Sequence, residues 1–373
     1  MYLKELHIKN FRNYEKLDLK LHSGINLIYG KNAQGKTNLL ESIYVLGLTK
    51  SHRSFIDHSL IKEGEDSSYL MGILSYEMLD TKLEIGFDSK RKKLKCDSEE
   101  IKKMSDYISK MNIIIFYPDD LELVKGSPNV RRRFLNTELS QLHGTYVNLL
   151  NDYNRLLKMR NEFLKKMNKQ ESVDENYFQI LCNYFIEKAV SIFKMRKKLL
   201  DKMNEYAPSI YKNITGHDGF FIQYVPSVSF SEYQIETMKR EMNEKMLKMK
   251  EVEIKLGTTM VGPHRDDFEF YLKDKNLKNY GSQGQQRVCV LSIKLAEIQI
   301  FKVQKGTSPI LLLDDVFSEL DGKKRSNLLD YIDSDIQTII TTTDLSNIDS
   351  EILKSAKKIE IENANIKSIE EVE

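Results

Sequence analysis

A segment near the amino terminus has the residue types and spacing of a phosphate-binding loop. It reads GKNAQGKT, with two glycines separated by four residues and followed by lysine and threonine. In such a loop backbone N–H groups curl around phosphates, Lys36 bridges the β and γ oxygens, and the Thr37 hydroxyl binds Mg²⁺. The predicted nucleotide contacts are Gly30, Lys31, Asn32, Ala33, Gln34, Gly35, Lys36, Thr37 and Asn38.

A second motif places two carboxylates at the end of an apolar strand. In SPILLLDDVFSELD the run Ile310 to Leu313 precedes Asp314 and Asp315. Asp314 is predicted to hold Mg²⁺ through water, and Asp315 to face the γ-phosphate and an attacking water. A strand followed by an aspartate N-cap is the alternative. A P-loop alone leaves kinases, GTPases and ATPases open. Together with Lys36, the two aspartates are the predicted catalytic groups, with a nucleotide and Mg²⁺ as cofactors.

A third segment, YGSQGQQR at 280–287, opens the apolar run VCVLSIKLAEIQIF, which predicts a buried helix. Ser282, Gly284 and Gln285 would lie at its amino end, which suits an anion. Followed by the Asp-rich strand and Ser318–Asp321, this run resembles the signature motif of ABC-type ATPases. In that family the signature of one subunit closes over the γ-phosphate held by another, which implies an ATP-dependent homodimer. A capped helix is the plainer alternative.

The rest of the chain predicts elements that would position these motifs. LKELHI, KLDLKL, INLIY, KLEIGF and NIIIFY are strand-like, whereas residues 134–206 have helical periodicity interrupted at KQESVDEN. Two long helices packed antiparallel are expected there, although Gly144 weakens the first. FFIQYVPSVSF predicts a short strand and residues 231–255 a methionine-rich helix. SPILLLDD and SDIQTIITTTD predict parallel strands joined by a helix.

The predicted fold class is therefore α/β. We expect an ABC-type ATPase head, with a P-loop lobe built on a mixed or parallel sheet, and a largely helical second lobe with a short antiparallel helical arm. Lobe I would comprise residues 1–120 with 300–373, and lobe II residues 121–299 with the arm and the signature motif. The long insert between Lys36 and Ser282 argues against a transporter subunit, and the little chain after the acidic strand argues against a P-loop nuclease or kinase.

Composition limits the partners and the compartment. The chain has 57 basic and 55 acidic residues and a net charge of +2, so any basic surface must be local. Cys96, Cys182 and Cys289 are far apart, which argues against a zinc site and a disulfide framework and fits a reducing cytosol. The sequence shows neither a signal-peptide pattern nor an apolar run of membrane-spanning length. A cytoplasmic location without a membrane partner is expected.

Two groups of cations are candidates for nucleic-acid phosphates. In GSPNVRRRFL, Ser127 and Pro128 predict a helix start that places three arginines against the helix dipole. Their counter-charge would be Asp119, Asp120 and Glu122, or an external phosphate. The arm supplies the second group, for which a solvated face is an equal alternative. The candidates are Arg131, Arg132, Arg133, Arg155, Lys158, Arg160, Lys165 and Lys166.

Three smaller sites carry weaker predictions. GPHRDD at 262–267 predicts an arginine–aspartate network tying the lobes together, with a metal site at His264 as a minor alternative. Arg12 and Asn13 could reach the nucleotide phosphates or adenine, or lie in a solvated turn. Thr343 stands where transporters place a histidine that senses the γ-phosphate, so a polar contact is expected there. No glutamine loop can be placed in NIIIFYPDD.

Six motifs in order resemble the RecF family of bacterial recombination mediators from Tyr2 to Asp344. They are LKELHIKNFRNYEKLDL, GKNAQGKTNLLESIYVLG, PDDLELVKGSPNVRRRFLN, TTMVGPHRDDF, GSQGQQR and LLLDDVFSELD. The resemblance assigns Lys36 and Thr37 to the P-loop, Asp314 and Asp315 to the acidic pair, and Ser282 to Gln285 to the signature. Transporters have glutamate where Asp315 stands, so slow turnover is expected, about one per minute or slower against about 10 per second for a typical enzyme.

The same resemblance implies a function. It implies a weak, DNA-stimulated ATPase that acts in DNA repair and replication at the nucleoid. The ATP-dependent homodimer would bind duplex DNA and junctions of single-stranded and duplex DNA near gaps. With RecR and RecO it would help to load RecA, which it contacts only indirectly. Hydrolysis would reset the dimer.

Overall fold

The chain divides into two compact units. The computed structural model describes residues 1–54, 57–76, 79–316, 328, 335–346 and 348–372. Unit 1 comprises Met1–Asp120 with Leu291–Glu373, and unit 2 comprises Leu121–Val290. The assignment of separate functions to lobes at 1–120 with 300–373 and at 121–299 stays a prediction.

Unit 1 contains an antiparallel sheet with the strand order β2-β1-β4-β5-β6-β7. Its strands are β1 (Tyr2–Phe11), β2 (Tyr14–Lys20), β4 (Ser67–Tyr76), β5 (Leu79–Asp88), β6 (Lys92–Cys96) and β7 (Glu99–Glu100). Residues alternate between buried and exposed along β1, as in Ile8 and Lys9, because one face of the sheet covers the core. Strand β4 had not been predicted.

The second sheet of unit 1 has the order β15-β14-β3-β13-β12-β8. Its strands are β3 (Ile25–Tyr29), β8 (Ile113–Phe116), β12 (Ile310–Asp314), β13 (Thr338–Thr342), β14 (Ala356–Glu362) and β15 (Asn365–Glu370). All neighbours pair in parallel except β14 and β15. The expected parallel pairing of β12 with β13 is confirmed, while the helix predicted between them lies almost entirely outside the described residues.

Helix α1 (Lys36–Leu48) packs closely on the antiparallel sheet. A Cβ atom added to Gly72 of β4 would lie 2.5 Å from Leu46 Cδ2. Unit 1 also contains α2 (Met104–Ile108) and α10 (Ser350–Ser355). Residues 30–35, where the phosphate-binding loop was predicted, connect β3 to the start of α1.

Unit 2 is mostly helical. Its elements are α3 (Glu122–Lys125), α4 (Pro128–Leu142), α5 (Gly144–Asn168), α6 (Glu175–Thr215), β9 (Phe220–Val225), α7 (Ile235–Leu256), β10 (Asp267–Leu272), β11 (Lys275–Asn276) and α8 (Leu277–Tyr280). Helix α9 (Gln283–Lys305) begins in unit 2 and ends in unit 1. The first long helix predicted from the sequence is interrupted at His143, so α4 and α5 are separate helices. The break lies next to Gly144, the residue that had argued against an unbroken helix.

Helices α5 and α6 pack antiparallel, as expected. Phe163 stacks on Tyr177 with ring centroids 5.5 Å apart, and Tyr153 stacks on Phe185 at 5.0 Å, so contacts that move back along α5 move forward along α6. Full burial of a large apolar side chain, such as Phe185, contributes about 1.5 to 3 kcal/mol. In the described part of the chain, none of the helices combines the length and apolarity needed to cross a membrane.

Candidate active site

Backbone geometry requires glycine at two positions of the phosphate-binding loop. Gly30 and Gly35 have φ values of 150° and 110°, which L side chains rarely adopt. A Cβ at Gly30 would also lie 2.3 Å from the Ile361 carbonyl oxygen. The Lys36 ammonium donates to the carbonyls of Gly30 at 2.6 Å and of Lys31 at 2.9 Å. The loop therefore curls around the Lys36 ammonium, the arrangement that phosphate binding needs.

Two hydroxyl groups hold the carboxylate at the end of β12. Thr37 Oγ1 and Thr341 Oγ1 donate to Asp314 Oδ1 over 3.0 Å and 2.8 Å. The Asp315 N–H donates to Thr341 Oγ1 at 3.0 Å, and Asp315 has a φ of 53°, a strained value that clusters at functional sites. Because β3, β13 and β12 are parallel neighbours, their carboxyl ends bring these groups to one edge of the sheet.

The loop and the acidic pair line one cavity of about 240 Å³. Its lining residues are Asn32, Ala33, Gly35, Lys36, Thr37, Asn38, Arg53, Asp314, Asp315 and Thr341. Gly30 and Lys31 instead accept the hydrogen bonds of Lys36, and Gln34 accepts bonds from the turn after β14. Hydroxyl and carboxylate oxygens are ligands that Mg²⁺ prefers, and an ammonium beside them suits phosphate. The residues present thus fit Mg²⁺ and a nucleotide.

Burial shifts the pKa values of the acidic and basic groups of this cavity in opposite directions. It raises the pKa of Asp314, against the hydrogen bonds from Thr341 and Thr37 and the charge of Arg53. It lowers the pKa of Lys36, against the charges of Asp315 and Asp314. Each ionised form is therefore favoured by a nearby opposite charge. A bound cation and a bound phosphate would each provide one.

Arg53 lines the cavity, although no sequence pattern singled it out. Its Nη1 donates to Asn38 Oδ1 at 3.3 Å and lies 3.8 Å from Glu41 Oε2. Burial would raise the pKa of Glu41, but hydrogen bonds from Arg12 and Ser51 lower it below its usual value. The ionised Glu41 therefore attracts the Arg53 guanidinium at the edge of the cavity.

Arg12 is paired with Glu41 and is not among the lining residues of the cavity, so its contact with a nucleotide stays a prediction. Its Nε and Nη2 donate to the two Glu41 oxygens at 2.9 and 2.8 Å, and its Nη1 donates to the Ser59 carbonyl at 2.7 Å. Two of the three guanidinium nitrogens are thus bonded to Glu41. Asn13 Oδ1 accepts a hydrogen bond from Asn38 Nδ2 at 2.8 Å, so Asn13 supports the loop from outside.

The threonine that borders the acidic pair is Thr341, not Thr343. Thr341 is buried at the end of β13, whereas Thr343 follows the strand. The sequence offered three consecutive threonines, and only the register of β13 beside β12, with Asp314 opposite Thr341, distinguishes them. Pairing register depends on contacts between distant segments, which a local pattern does not contain.

The signature segment forms an exposed helix start. Ser282 N donates to Gln285 Oε1 at 2.9 Å and Gln285 N donates to Ser282 Oγ at 3.3 Å, the reciprocal bonds of a capping box. Ser282 and Gly284 are exposed, and a Cβ at Gly284 would have no atom within 4 Å. The amino end of α9 is thus capped and open, which fits both the plain helix start and an anion site. Ser318–Asp321, the other half of the resemblance, lies outside the described residues.

Arg131 is wrong as a nucleic-acid contact. It is 3% exposed, and its Nε and Nη2 donate to Asp267 at 2.6 and 2.8 Å. The counter-charge of Arg131 is therefore Asp267, and not Asp119, Asp120 or Glu122 as expected. Asp120 instead lies 3.7 Å from the ammonium of Lys294. Arg132 is half-buried and donates to the Asp266 carbonyl at 2.6 Å, which leaves it poorly placed for an external phosphate. Arg133 is half-buried as well.

Arg160 is also wrong as a nucleic-acid contact. It is 2% exposed, donates to Glu253 at 2.6 Å and to Thr259 at 2.7 Å, and lies 5.7 Å from the rings of Phe178 and Phe185. The spacing on α5 contained a signal, because buried Leu156 and Leu164 lie four residues on either side. The exposed cations of α5 are Arg155, Lys158, Lys165 and Lys166.

The GPHRDD segment forms an arginine–aspartate network, but every member lies in unit 2. Asp266 accepts from Arg196 Nη1 at 3.2 Å, from Tyr224 and from the Ser227 N–H at 2.9 Å. The network joins elements within one unit and does not tie the lobes together, contrary to the expectation.

The metal alternative at His264 is also wrong. Tyr153 bonds its Nδ1 at 2.5 Å and its Nε2 bonds the Thr259 carbonyl at 3.0 Å, so both ring nitrogens are occupied. Burial lowers the His264 pKa to about 4. Over the described ranges, no group of three or more metal-ligating side chains is placed to hold an ion.

The fold and the site together define a class of protein. The parts of an ABC-type ATPase head are all present. They are a P-loop after β3, an aspartate pair at the end of β12, which is parallel to β3 with β13 between them, and a serine-x-glycine-glutamine helix start. A solved Smc head domain, 14% identical, superimposes with a TM-score of 0.56 over 100% of this chain and 98% of its own, which supports the fold alone.

Comparison with known proteins narrows the class. The family model for the RecF/RecN/SMC N terminal domain matches residues 2–366. The chain is 43% identical over 368 residues to the DNA replication and repair protein RecF of Bacillus cereus strain AH820 and of Bacillus anthracis strain A0248, with 98% of each chain covered. A structure of the recombination mediator protein RecF-ATP in the RecFOR pathway, 30% identical, has a TM-score of 0.89 and covers 100% and 98% of the two chains. The chain belongs to the RecF family.

Proposed function

We propose that the protein is an ATP-dependent DNA-binding recombination mediator. The observation that carries this is the bond of Thr37 to Asp314 at 3.0 Å, beside Lys36 in one cavity, in a chain of the RecF family. Thr37 and Asp314 would hold Mg²⁺, Lys36 would bind the phosphates, and Asp315 would position the attacking water. Turnover would be slow and DNA-stimulated, because the shorter Asp315 aligns water less well than glutamate.

The second element of the proposal is a homodimer held by ATP. The amino end of α9 exposes Ser282 and Gly284, so a γ-phosphate bound by a second copy could be contacted by the hydroxyl and the helix N–H groups. Two such contacts would form in a symmetric pair. Hydrolysis would remove the shared phosphate and separate the subunits.

The third element is DNA. The exposed cations of α5, with Arg133 a weaker candidate, would contact the phosphates of duplex DNA and of single-strand–duplex junctions near gaps. The curated relatives are named DNA replication and repair proteins, and the RecF-ATP structure is described as part of the RecFOR pathway. We infer that RecR, with RecO, is the protein partner and that RecA loading is the outcome.

Retention of duplex DNA at fixed moderate salt, with light scattering for mass, tests this proposal. Mg-ATP should raise both mass and DNA affinity in the wild type. Ser282→Arg should abolish both increases while nucleotide still binds, because an arginine would block the helix start. Ser209→Arg, at an exposed position of α6, is the matched control and should behave as wild type. A wild type that dimerises on ATP but ignores DNA would overturn the mediator assignment.

A further inference from the structure

The last hairpin of the chain bonds directly to the phosphate-binding loop. The Ala364 N–H donates to the Gln34 carbonyl at 2.9 Å, and the Asn363 N–H donates to Gln34 Oε1 at 2.6 Å. Strand β14, which enters this turn, pairs in parallel with β3, which enters the loop, with Glu360 opposite Tyr29. The turn and the loop therefore leave the same edge of the sheet and meet at Gln34.

The turn has a conformation that alanine does not favour. Asn363 and Ala364 have φ values of 51° and 58°, the pattern of a two-residue type I′ turn, in which Asn-Gly is preferred. A Cβ atom is disfavoured in this left-handed region. Ala364 is nevertheless only 5% exposed, and its N–H is satisfied by Gln34. The contact with the loop stabilises a turn that its own sequence specifies weakly.

The loop side of the contact is equally constrained. Gln34 lies between Ala33, with a φ of 64°, and Gly35, with a φ of 110°. At the start of the loop, Gly30 leaves room for the Ile361 carbonyl, to which an added Cβ would come within 2.3 Å. The hairpin thus touches the loop at its first glycine and at Gln34. A change of curl in the loop would break both contacts.

We propose that Gln34 is a positioning residue that couples the phosphate-binding loop to the carboxy-terminal hairpin. Through the Asn363–Ala364 turn it holds the loop in the form that accepts phosphates, and nucleotide binding in return stabilises the turn. The proposal rests on the proposed ATP binding. Because coupling between two equilibria is reciprocal, the factor by which the turn strengthens nucleotide binding is also the factor by which nucleotide protects the turn.

Nucleotide affinity tests one side of this coupling. With a fluorescent ATP analogue and Mg²⁺, Gln34→Ala should weaken binding about tenfold, and Ala364→Val, a β-branched residue at positive φ, should do the same. Gln34→Ala removes the acceptor of the Asn363 N–H, and Ala364→Val strains the same turn. Because both act on one contact between the turn and the loop, the double variant should bind no more weakly than the weaker-binding single variant. Ala364→Gly keeps the N–H, as valine does, but has no Cβ to disfavour the positive φ, so it should bind more tightly than Ala364→Val. Lys367→Gln, exposed on the same hairpin and paired with Glu360, is the control and should match the wild type.

Amide hydrogen exchange tests the other side and does not depend on activity. ATP should slow exchange at Asn363 and Ala364 about tenfold in the wild type. In Gln34→Ala the slowing at Asn363 should be lost, because the Oε1 acceptor of that amide is gone, while thermal unfolding shows that both proteins are folded. Tight ATP binding with unchanged exchange at these amides would overturn the coupling and leave the proposed function intact. A wild type that binds no ATP would overturn the proposed function and the coupling together.

Discussion

The nucleotide cavity of unit 1 and the arginine–aspartate network of unit 2 both contain aspartates and basic side chains. In the network these charges stabilise the fold, whereas in the cavity they are placed to bind a ligand. In the network, Asp266 and Arg196 are both buried and bond to each other. In the cavity, Asp314 is bonded by neutral hydroxyls and Lys36 by neutral carbonyls. Charges matched by opposite charges hold the fold together. Charges that are hydrogen-bonded by neutral groups, even with Arg53 and Asp315 in the same cavity, are less fully compensated and attract a ligand of opposite sign.

The sharpest test of the comparison removes one charge of the network. Asp266→Asn would leave Arg196 buried without its counter-charge, so the free energy of unfolding should fall by about 3 to 5 kcal/mol. Urea unfolding measures it. Asp218→Asn removes a carboxylate whose side chain is 70% exposed in its pair with Lys212, and should change stability by less than about 0.5 kcal/mol. Equal effects of the two variants would contradict the structural role of the network.

The cavity should respond in the opposite way. Lys36→Met should reduce ATP hydrolysis by about 10²- to 10³-fold, because a charge that stabilises the phosphoryl group is lost. The free energy of unfolding should not fall, since a charge whose ionised form burial disfavours is removed. Turnover and urea unfolding measured on the same preparation separate the two effects. Lys50→Met, an exposed lysine just after α1, is the control for a lost positive charge. If Lys36→Met were destabilised but still active, Lys36 would have a structural role like that of the arginine–aspartate network, and not a role in catalysis.

The cavity was predictable because its signals are local. The loop, the acidic pair and the adjoining strands each occupy a few consecutive residues, whose types determine the backbone. Arg131 was misjudged because its partner, Asp267, is 136 residues away in sequence. Arg53 was missed for the same reason: its place at the cavity depends on Glu41 and on the path of the chain after α1, neither of which has a motif.

Helix α5 contains the same contrast within one element. Arg160 is buried against Glu253, whereas Lys158, Lys165 and Lys166 are exposed. Replacing the three lysines by glutamine should weaken duplex DNA binding about 10- to 30-fold at moderate salt and make the slope of log K against log salt less steep by about 2 to 3. Stability should not change. The exposed lysines of α6 and α7, Lys212, Lys245 and Lys248, provide a control with the same charge change. An unchanged slope would exclude α5 as the DNA surface.

Arg53 combines features of both sites, so its replacement shows whether it binds the ligand or stabilises the fold. It lines the cavity, yet it also lies near the ionised Glu41. Arg53→Gln should weaken ATP binding about tenfold, the loss of one charge-assisted hydrogen bond, and change stability by less than about 1 kcal/mol because the side chain is 45% exposed. Arg91→Gln, at a 72% exposed position of the same unit, should leave ATP affinity unchanged. Lost stability with intact affinity would assign Arg53 to the support of Glu41.

The smallest effect concerns protons at Asp314. Burial raises its pKa above the ordinary 3.8, so the folded protein takes up this proton at a higher pH than the unfolded chain does. Protonation of Asp314 on acidification removes a Mg²⁺ ligand. The contribution of Asp314 itself to the free energy of unfolding rises at the same time, because the folded protein binds this proton more tightly. Mg²⁺-dependent ATP affinity should therefore fall several-fold as the pH is lowered, starting at a higher pH than an ordinary aspartate would require, with no loss of stability from Asp314. The Mg²⁺-free affinity, measured in parallel, should not show this fall. Asp314→Asn should abolish the Mg²⁺-linked pH dependence, and its persistence in that variant would assign the titration to another carboxylate of the cavity.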